Sequence, residues 1–205
     1  VQDEQQRLPA WLKYYAETGY PLYVLDHESV ADHKEPMLAA ARQYGAAVLP
    51  VLHAAAYDHG WLRDTASVFQ RFLLQSYKYV LFAEVDEFVV PRSGTLRDYI
   101  DAFGATAVCC AGYEVVQQDD EPALQPDAPL LPQRKWWYRS RLYSKPLLAA
   151  CPLTWDVGFH GAVEISAGME GMVAEDLLLV HTHKIDREMA RNRIQEAAKR
   201  AWSAD

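Results

Sequence analysis

Cysteine is scarce in this chain of 205 residues: three occur, two of them adjacent at Cys109 and Cys110 inside an apolar run. That count and spacing exclude a disulfide framework and are too sparse for a structural zinc site. Buried, reduced thiols in a cytoplasmic protein are what remains. No run of about 18 apolar residues occurs, so no membrane-spanning helix is expected in these residues, and no signal-peptide pattern is present. The chain opens at Val1-Gln2-Asp3-Glu4 without an initiator Met, which leaves open that it is a piece of a longer protein. A P-loop G-x-x-x-x-G-K-[ST] is missing, which disfavours a P-loop kinase. Positive charge is in deficit: 20 Lys and Arg stand against 28 Asp and Glu, a net charge of −8. A nucleic-acid backbone is therefore not the expected partner. A small anionic ligand stays compatible, because a metal or a local group of Lys and Arg reverses the sign within one cleft. No low-complexity linker divides the chain, and 50% hydrophobic content suffices for one domain over 1–205 with a sizeable core.

What is present is an alternation of helix-period and strand-like segments. Residues 8–18 place Leu8, Trp11, Leu12 and Tyr15 on one helical face, with Pro9 in the first turn and Gly19 as the cap. The strand Leu22-Tyr23-Val24-Leu25 stops at Asp26. A helix over 34–44 ends at Gly45, and a strand follows over 47–52. A third helix over 61–77 offers Trp61, Thr65, Val68, Phe69, Phe72 and Leu73 as its apolar side, and the strand Tyr79–Ala83 comes next. This α-β-α-β-α-β order predicts an α/β fold with a mostly parallel, doubly wound sheet and helices on both faces. Ligands bind beyond the carboxyl ends of such strands, where Asp26 and the acids at 84–87 fall.

Beyond Pro91 the alternation fades, which predicts a smaller, antiparallel and loop-rich C-terminal part. Thr95-Leu96-Arg97-Asp98 reads as a capping box. Residues 106–116 read as a long strand. Residues 117–135, with Pro122, Pro126, Pro129 and Pro132 among polar residues, read as a long loop, either a lid or disordered. A strand over Leu177–Val180 precedes a helix opened by Asp186, a normal N-cap position, with Ala190, Ile194, Ala197, Ala198 and Ala201 as its packing face.

The stretch LFAEVDEFVVP at 81–91 sets three acids between apolar runs. In an extended chain Glu84 and Asp86 share one side and Glu87 takes the other. Two carboxylates on one face raise each other's pKa, and a divalent cation, whose preferred ligands are carboxylate oxygens, removes that penalty. Solvation at a strand end, or pairing with Arg71 or Arg92, is the alternative. His181 and His183 likewise share a face if a strand runs through them, either as a hydrogen-bonded pair or as ligands. Trp136, Trp137, Tyr138 and Trp155 suit either a core or an aromatic platform.

Glu84-Val85-Asp86-Glu87-Phe88-Val89-Val90-Pro91 resembles the D-x-D-E-F-hydrophobic-x-P motif of the family 2-like GT-A fold glycosyltransferases, with Glu in place of the first Asp. Residues 24–32, Val24-Leu25-Asp26-His27-Glu28-Ser29-Val30-Ala31-Asp32, resemble the family's D-N-x-S-x-D turn, with His27 in place of Asn. Ser144-Lys145-Pro146-Leu147, Gly158-Phe159-His160 and His181-x-His183-Lys184-Ile185-Asp186 are similar to elements of its C-terminal half. The resemblance covers nearly the whole chain. It implies a single GT-A-like (Rossmann-like) domain, with 1–104 the nucleotide-sugar-binding half and 105–205 the acceptor side. It further implies a nucleotide-diphosphate sugar donor, a carbohydrate or other hydroxyl acceptor, and a Mn²⁺ or Mg²⁺ ion that offsets charge on the leaving diphosphate.

On that basis Asp86 is the direct metal ligand, Glu84 holds the metal or ribose, and His183 is a third metal or diphosphate ligand. Asp26 sits near the base or ribose, and Lys145 neutralises diphosphate. An inverting transfer needs a general base: Asp156 first, then Glu164, then His160. Two other functions fit the same residues. One is a metallohydrolase or phosphotransferase using these acids with His181 and His183. The other is a catalytically degenerate domain that binds a sugar or a partner.

Overall fold

The computed structural model describes residues 4, 6–27, 29, 31–51, 58–125, 128–164 and 173–198. Helix α1 (Leu8–Ala16) forms where its periodicity places it, burying Leu8, Leu12 and Tyr15 with Pro9 in the first turn. Gly19 then reverses the chain at φ +72°, a left-handed conformation that glycine adopts without a Cβ clash. Strand β1 (Tyr23–Asp26), helix α2 (Ala31–Gln43) and strand β2 (Ala47–Pro50) follow. The two strands pair in parallel, Tyr23 opposite Ala47 and Asp26 opposite Pro50. Met37, Ala40 and Ala41 of α2 pack against Leu8, Leu12 and Val24.

Helix α3 (His59–Leu73) is capped by Asp58, whose side chain accepts from the Trp61 N–H at 3.0 Å. Its buried side differs from the apolar stripe expected. Ala66, Ser67, Gln70 and Leu73 face inward, while Val68 and Phe72 are 63% and 67% exposed. The Gln70 amide explains the rotation: it donates to the Cys151 carbonyl at 3.3 Å and accepts from the Leu153 N–H at 2.8 Å. Orphaned buried backbone groups cost about 1–3 kcal/mol each, comparable to what burying one more apolar side chain would return.

The remaining elements are β3 (Val80–Leu81), β4 (Glu87–Pro91), α4 (Leu96–Ala102), β5 (Ala107–Val116), β6 (Trp137–Arg139), β7 (Pro146–Ala149), β8 (Thr154–Trp155), β9 (Ala162–Glu164), β10 (Val173–Lys184) and α5 (Arg187–Ala197). The capping box at α4 is formed, with Thr95 and Asp98 bonding reciprocally. In the 117–135 stretch the Gln133 side chain bridges Gln125, Ala128 and Pro129, and Arg134 donates to the distant Ile185 carbonyl.

The sheet overturns the mostly parallel, Rossmann-like expectation. The main sheet runs β3-β7-β5-β10-β4, with β6 also on β5. It is mostly antiparallel and curled into half a barrel. Within this sheet, among the described residues, only β5 and β10 pair in parallel; β4–β10, β3–β7, β5–β6 and β5–β7 are antiparallel. β1 and β2 form a separate two-stranded sheet, and β8 and β9 another. The physical reason lies in the connections. Parallel neighbours need a long crossover, usually a helix, and among the described residues no α-helix lies between α4 and α5. Among the described residues, no helix is long and apolar enough to cross a membrane.

One cross-strand row brings ionisable side chains together. Tyr138 on β6 stands opposite Glu114 on β5, Glu114 opposite His181 on β10, and His181 opposite Glu87 on β4. The turn Arg141–Tyr143 lies directly on β5 at Gly112, whose N–H donates to Ser144 Oγ and whose carbonyl accepts from the Ser140 N–H. A Cβ on Gly112 would stand 2.5 Å from the Ser140 oxygen and 2.7 Å from the Ser144 nitrogen. Gly112→Ala is therefore expected to destabilise the fold by about 2 kcal/mol or more, read as a lower urea midpoint with an unchanged m-value.

Candidate metal centre

Between β3 and β4 the chain turns instead of staying extended. The Glu87 N–H donates to the Glu84 carbonyl at 3.0 Å, and the Glu84 N–H donates to Glu87 Oε2 at 2.9 Å. Strand alternation therefore does not sort the three acids. Glu84 and Glu87 converge on the buried Lys145 Nζ, at 2.8 and 2.6 Å. Burial, only partly offset by Lys145, pushes the Glu87 carboxyl up to about 7. Burial works against the Lys145 ammonium too, but Glu87 and Glu84 outweigh it and hold its pKa above the ordinary lysine range.

Asp86 points away from this ion group and is 2% exposed. Its Oδ2 forms a close ion pair with Arg193 Nη1, and lies 3.4 Å from His181 Nε2 and 3.7 Å from both His183 Nδ1 and Arg7 Nη1. Burial works against the Asp86 carboxylate, yet Arg193 and the two imidazoles hold its pKa well below the usual range. Thr182, between the histidines, ties the turn to β10: its N–H and hydroxyl donate to the Asp86 carbonyl at 2.7 and 2.9 Å.

One donor atom each from Asp86, His181 and His183 lie within 4.8 Å of one another. A carboxylate oxygen and two imidazole nitrogens form a ligand set for a divalent transition metal such as Mn²⁺ or Zn²⁺. The surroundings of His181 suit that role. Its Nδ1 donates to Glu114 Oε1 at 3.2 Å, which turns Nε2 toward Asp86, the arrangement by which outer carboxylates orient ligating histidines. Tyr143 stacks on the His181 ring at 4.0 Å between centroids, and Lys184 Nζ lies 3.5 Å from Glu114. Burial opposes the imidazolium, but Asp86 and Glu114 outweigh it and raise the His181 pKa to about 9.

A cavity of about 580 Å³ adjoins the group. Asp86, Glu84 and Arg193 line it together with Trp11, Phe69 and Phe159. Phe159 adopts φ +61° directly after Gly158 at φ +82°, a conformation rare for a non-glycine residue, and its ring packs on Phe82 at 5.1 Å.

No family model matches the chain, and no curated protein matches it.

The other residues singled out from the sequence lie outside this ligand group. Asp26 ends β1, buried, and accepts from the Ser29 N–H and hydroxyl at 3.3 and 2.6 Å, with Lys34 3.8 Å away. Glu84 and Lys145 belong to the neighbouring ion group. Asp156 is exposed in the β8–β9 turn, its N–H donating to the Gly161 carbonyl. His160, also exposed, donates through Nδ1 to the Leu142 carbonyl, and its ring lies 6.2 Å from that of Tyr143. Glu164 stands opposite Thr154 on β9. Trp155 is core, whereas Trp136 and Tyr138 are exposed.

Sequence reasoning missed Arg7, Glu114, Tyr143 and Arg193. Glu114 carried a signal, as a lone charge inside an apolar strand. Arg193 carried one too, since Asp186, Ala190 and Arg193 recur at helical spacing. Ile194, placed on the packing face instead, is 62% exposed.

A raised His181 pKa stabilises the metal-free fold below its unfolded value of 6.5, and that contribution is lost as pH rises through about 9. With chelator present, the urea stability of the wild type is expected to fall across this window by an amount on the order of 3 kcal/mol. His181→Asn should flatten that fall.

Proposed function

We propose that the chain binds a divalent cation at Asp86, His181 and His183 and uses it to hold a nucleotide-diphosphate sugar for transfer to a hydroxyl acceptor. The observation that carries this reading is the convergence of Asp86, from the acidic motif, with both histidines of His181-x-His183, beside a large aromatic-lined cavity. The antiparallel sheet lends no fold-level support, so the function is argued from the site alone.

In the transfer, the acceptor oxygen bonds to the anomeric carbon while the bond from that carbon to the diphosphate oxygen breaks. The cation supplies compensation for charge developing on the leaving diphosphate. Arg7 and Arg193 lie beside Asp86 to share that task. The acceptor proton passes to a group on the β8–β9 turn, which borders both parts of the site. Phe159 of that turn lines the cavity, and His160 faces the Tyr143 ring that covers His181. Asp156, an exposed carboxylate on the same turn, is the assigned base. Trp136 and Tyr138, exposed on the β6 side of the sheet, offer apolar faces to a sugar acceptor.

A metallohydrolase or phosphotransferase is the second reading, favoured by one specific observation. The ligand group holds two imidazoles and a single carboxylate, a set common in metal-assisted hydrolysis, and Glu84 is engaged by Lys145 instead.

Thermal unfolding with Mn²⁺ and either uridine or guanosine diphosphate separates the two. A transferase of this kind is stabilised most when metal and nucleotide are both present, by about 3 kcal/mol at a hundredfold excess over Kd. Stabilisation by Mn²⁺ alone, with no increment from either nucleotide, favours the hydrolytic reading. Asp86→Ala is expected to abolish the metal-dependent shift while the domain still unfolds cooperatively. With a turnover assay in hand, Asp156→Asn should keep donor binding and lose at least about a hundredfold in kcat; unchanged turnover removes Asp156 as the base.

A further inference from the structure

Arg193 sits against two of the three groups that would hold a cation, Asp86 and His183. Its Nη1 is in close contact with Asp86 Oδ2 and 3.0 Å from His183 Nδ1, and its Nη2 is 3.4 Å from Glu4. An ion bound to Asp86 Oδ2 and His183 Nδ1 would stand about 2.0–2.2 Å from each. The guanidinium nitrogen already occupies that space, so the two cations exclude one another.

Charge balance points the same way. Around the centre, the carboxylates Asp86, Glu4 and Glu114 are matched by the cations Arg7, Arg193 and Lys184. His181 and His183 are neutral when they act as ligands. A divalent ion then leaves a surplus of two positive charges in a largely buried site. A displaced guanidinium together with an incoming dianion removes that surplus. Arg193 is the more accessible of the two guanidiniums: its side chain is 32% exposed, against 6% for Arg7. It also lines the cavity where such an anion would enter.

We infer that Arg193 and a divalent ion are alternative occupants of the Asp86–His181–His183 group, and that Arg193, once displaced, becomes a ligand for the polyanion that accompanies the ion. This rests on the metal reading proposed above and adds a regulatory step to it. Without an anion the guanidinium keeps the ion out; with a diphosphate the ion and anion enter together. Asp86 is thereby never left as an uncompensated buried charge, whichever cation holds it.

Inorganic diphosphate and Mn²⁺ are sufficient probes, with free Mn²⁺ followed by its electron paramagnetic resonance signal and folding checked by circular dichroism. In the wild type, diphosphate should strengthen Mn²⁺ binding. Arg193→Gln should bind Mn²⁺ without diphosphate about tenfold or more tightly than the wild type, the scale on which close charge pairs couple. The same variant should lose most of the strengthening that diphosphate brings. Arg193→Lys, which keeps a charge but not the planar fork, should fall between the two and serves if the Gln variant does not fold. Mn²⁺ affinity that is unchanged or weaker in Arg193→Gln overturns the exclusion while leaving the metal centre standing. Absence of Mn²⁺ binding in every protein, with or without diphosphate, overturns the metal centre and this inference together.

Discussion

A single buried carboxylate organises the centre of this protein. Asp86 is 2% exposed, and a carboxylate withdrawn from water is tolerated only where positive charge and hydrogen bonds replace the lost hydration. Those replacements come from three distant parts of the chain. Arg7 precedes α1, His181 and His183 lie on β10, and Arg193 lies on α5. Meeting the needs of one carboxylate therefore ties together the N-terminal segment, strand β10 and the last described helix. The turn that presents Asp86 is itself held to β10 through Thr182.

A second ion group lies directly beside the first and behaves differently. Glu84 and Glu87 pair with Lys145 at 2.8 and 2.6 Å, with no imidazole in these pairs. This group anchors the turn; the Asp86 group, richer in cations and open to the cavity, is where exchange of one cation for another has a structural basis. The same turn thus sends Glu84 and Glu87 to Lys145 and Asp86 to the histidines and arginines, although all three acids are within four residues of each other.

Lateral pairing of β10, antiparallel to β4 and parallel to β5, is what builds the outer shell of the centre. With β10 between β4 and β5, His181 has Glu87 on one side and Glu114 on the other, and Tyr138 extends the row onto β6. Gly112 allows the Arg141–Tyr143 turn to close on β5, and Tyr143 then covers His181. A parallel doubly wound sheet would have brought ligands to strand ends. Here the histidines stand near the end of a long strand but are oriented by residues lateral to it.

Local chemistry was legible in the sequence wherever it depended on neighbours a few residues apart. The α1 face, the Thr95–Asp98 capping box, Asp186 as an N-cap, and the strand read over 106–116 all follow from short-range spacing, and each is formed, the strand over Ala107–Val116. Asp86 and the two histidines could be singled out as unusual polar residues beside apolar runs. Their convergence could not, because it depends on which strands pair. Nor could the sorting of Glu84 from Asp86, because period-two alternation fails once the backbone turns. The rotations of α3 and α5 were decided by distant partners, the backbone at Cys151 and Leu153 for Gln70 and the Asp86 carboxylate for Arg193. Spacing of apolar residues sets which faces a helix has; the long-range hydrogen bonds and ion pairs of the tertiary structure choose which one is buried.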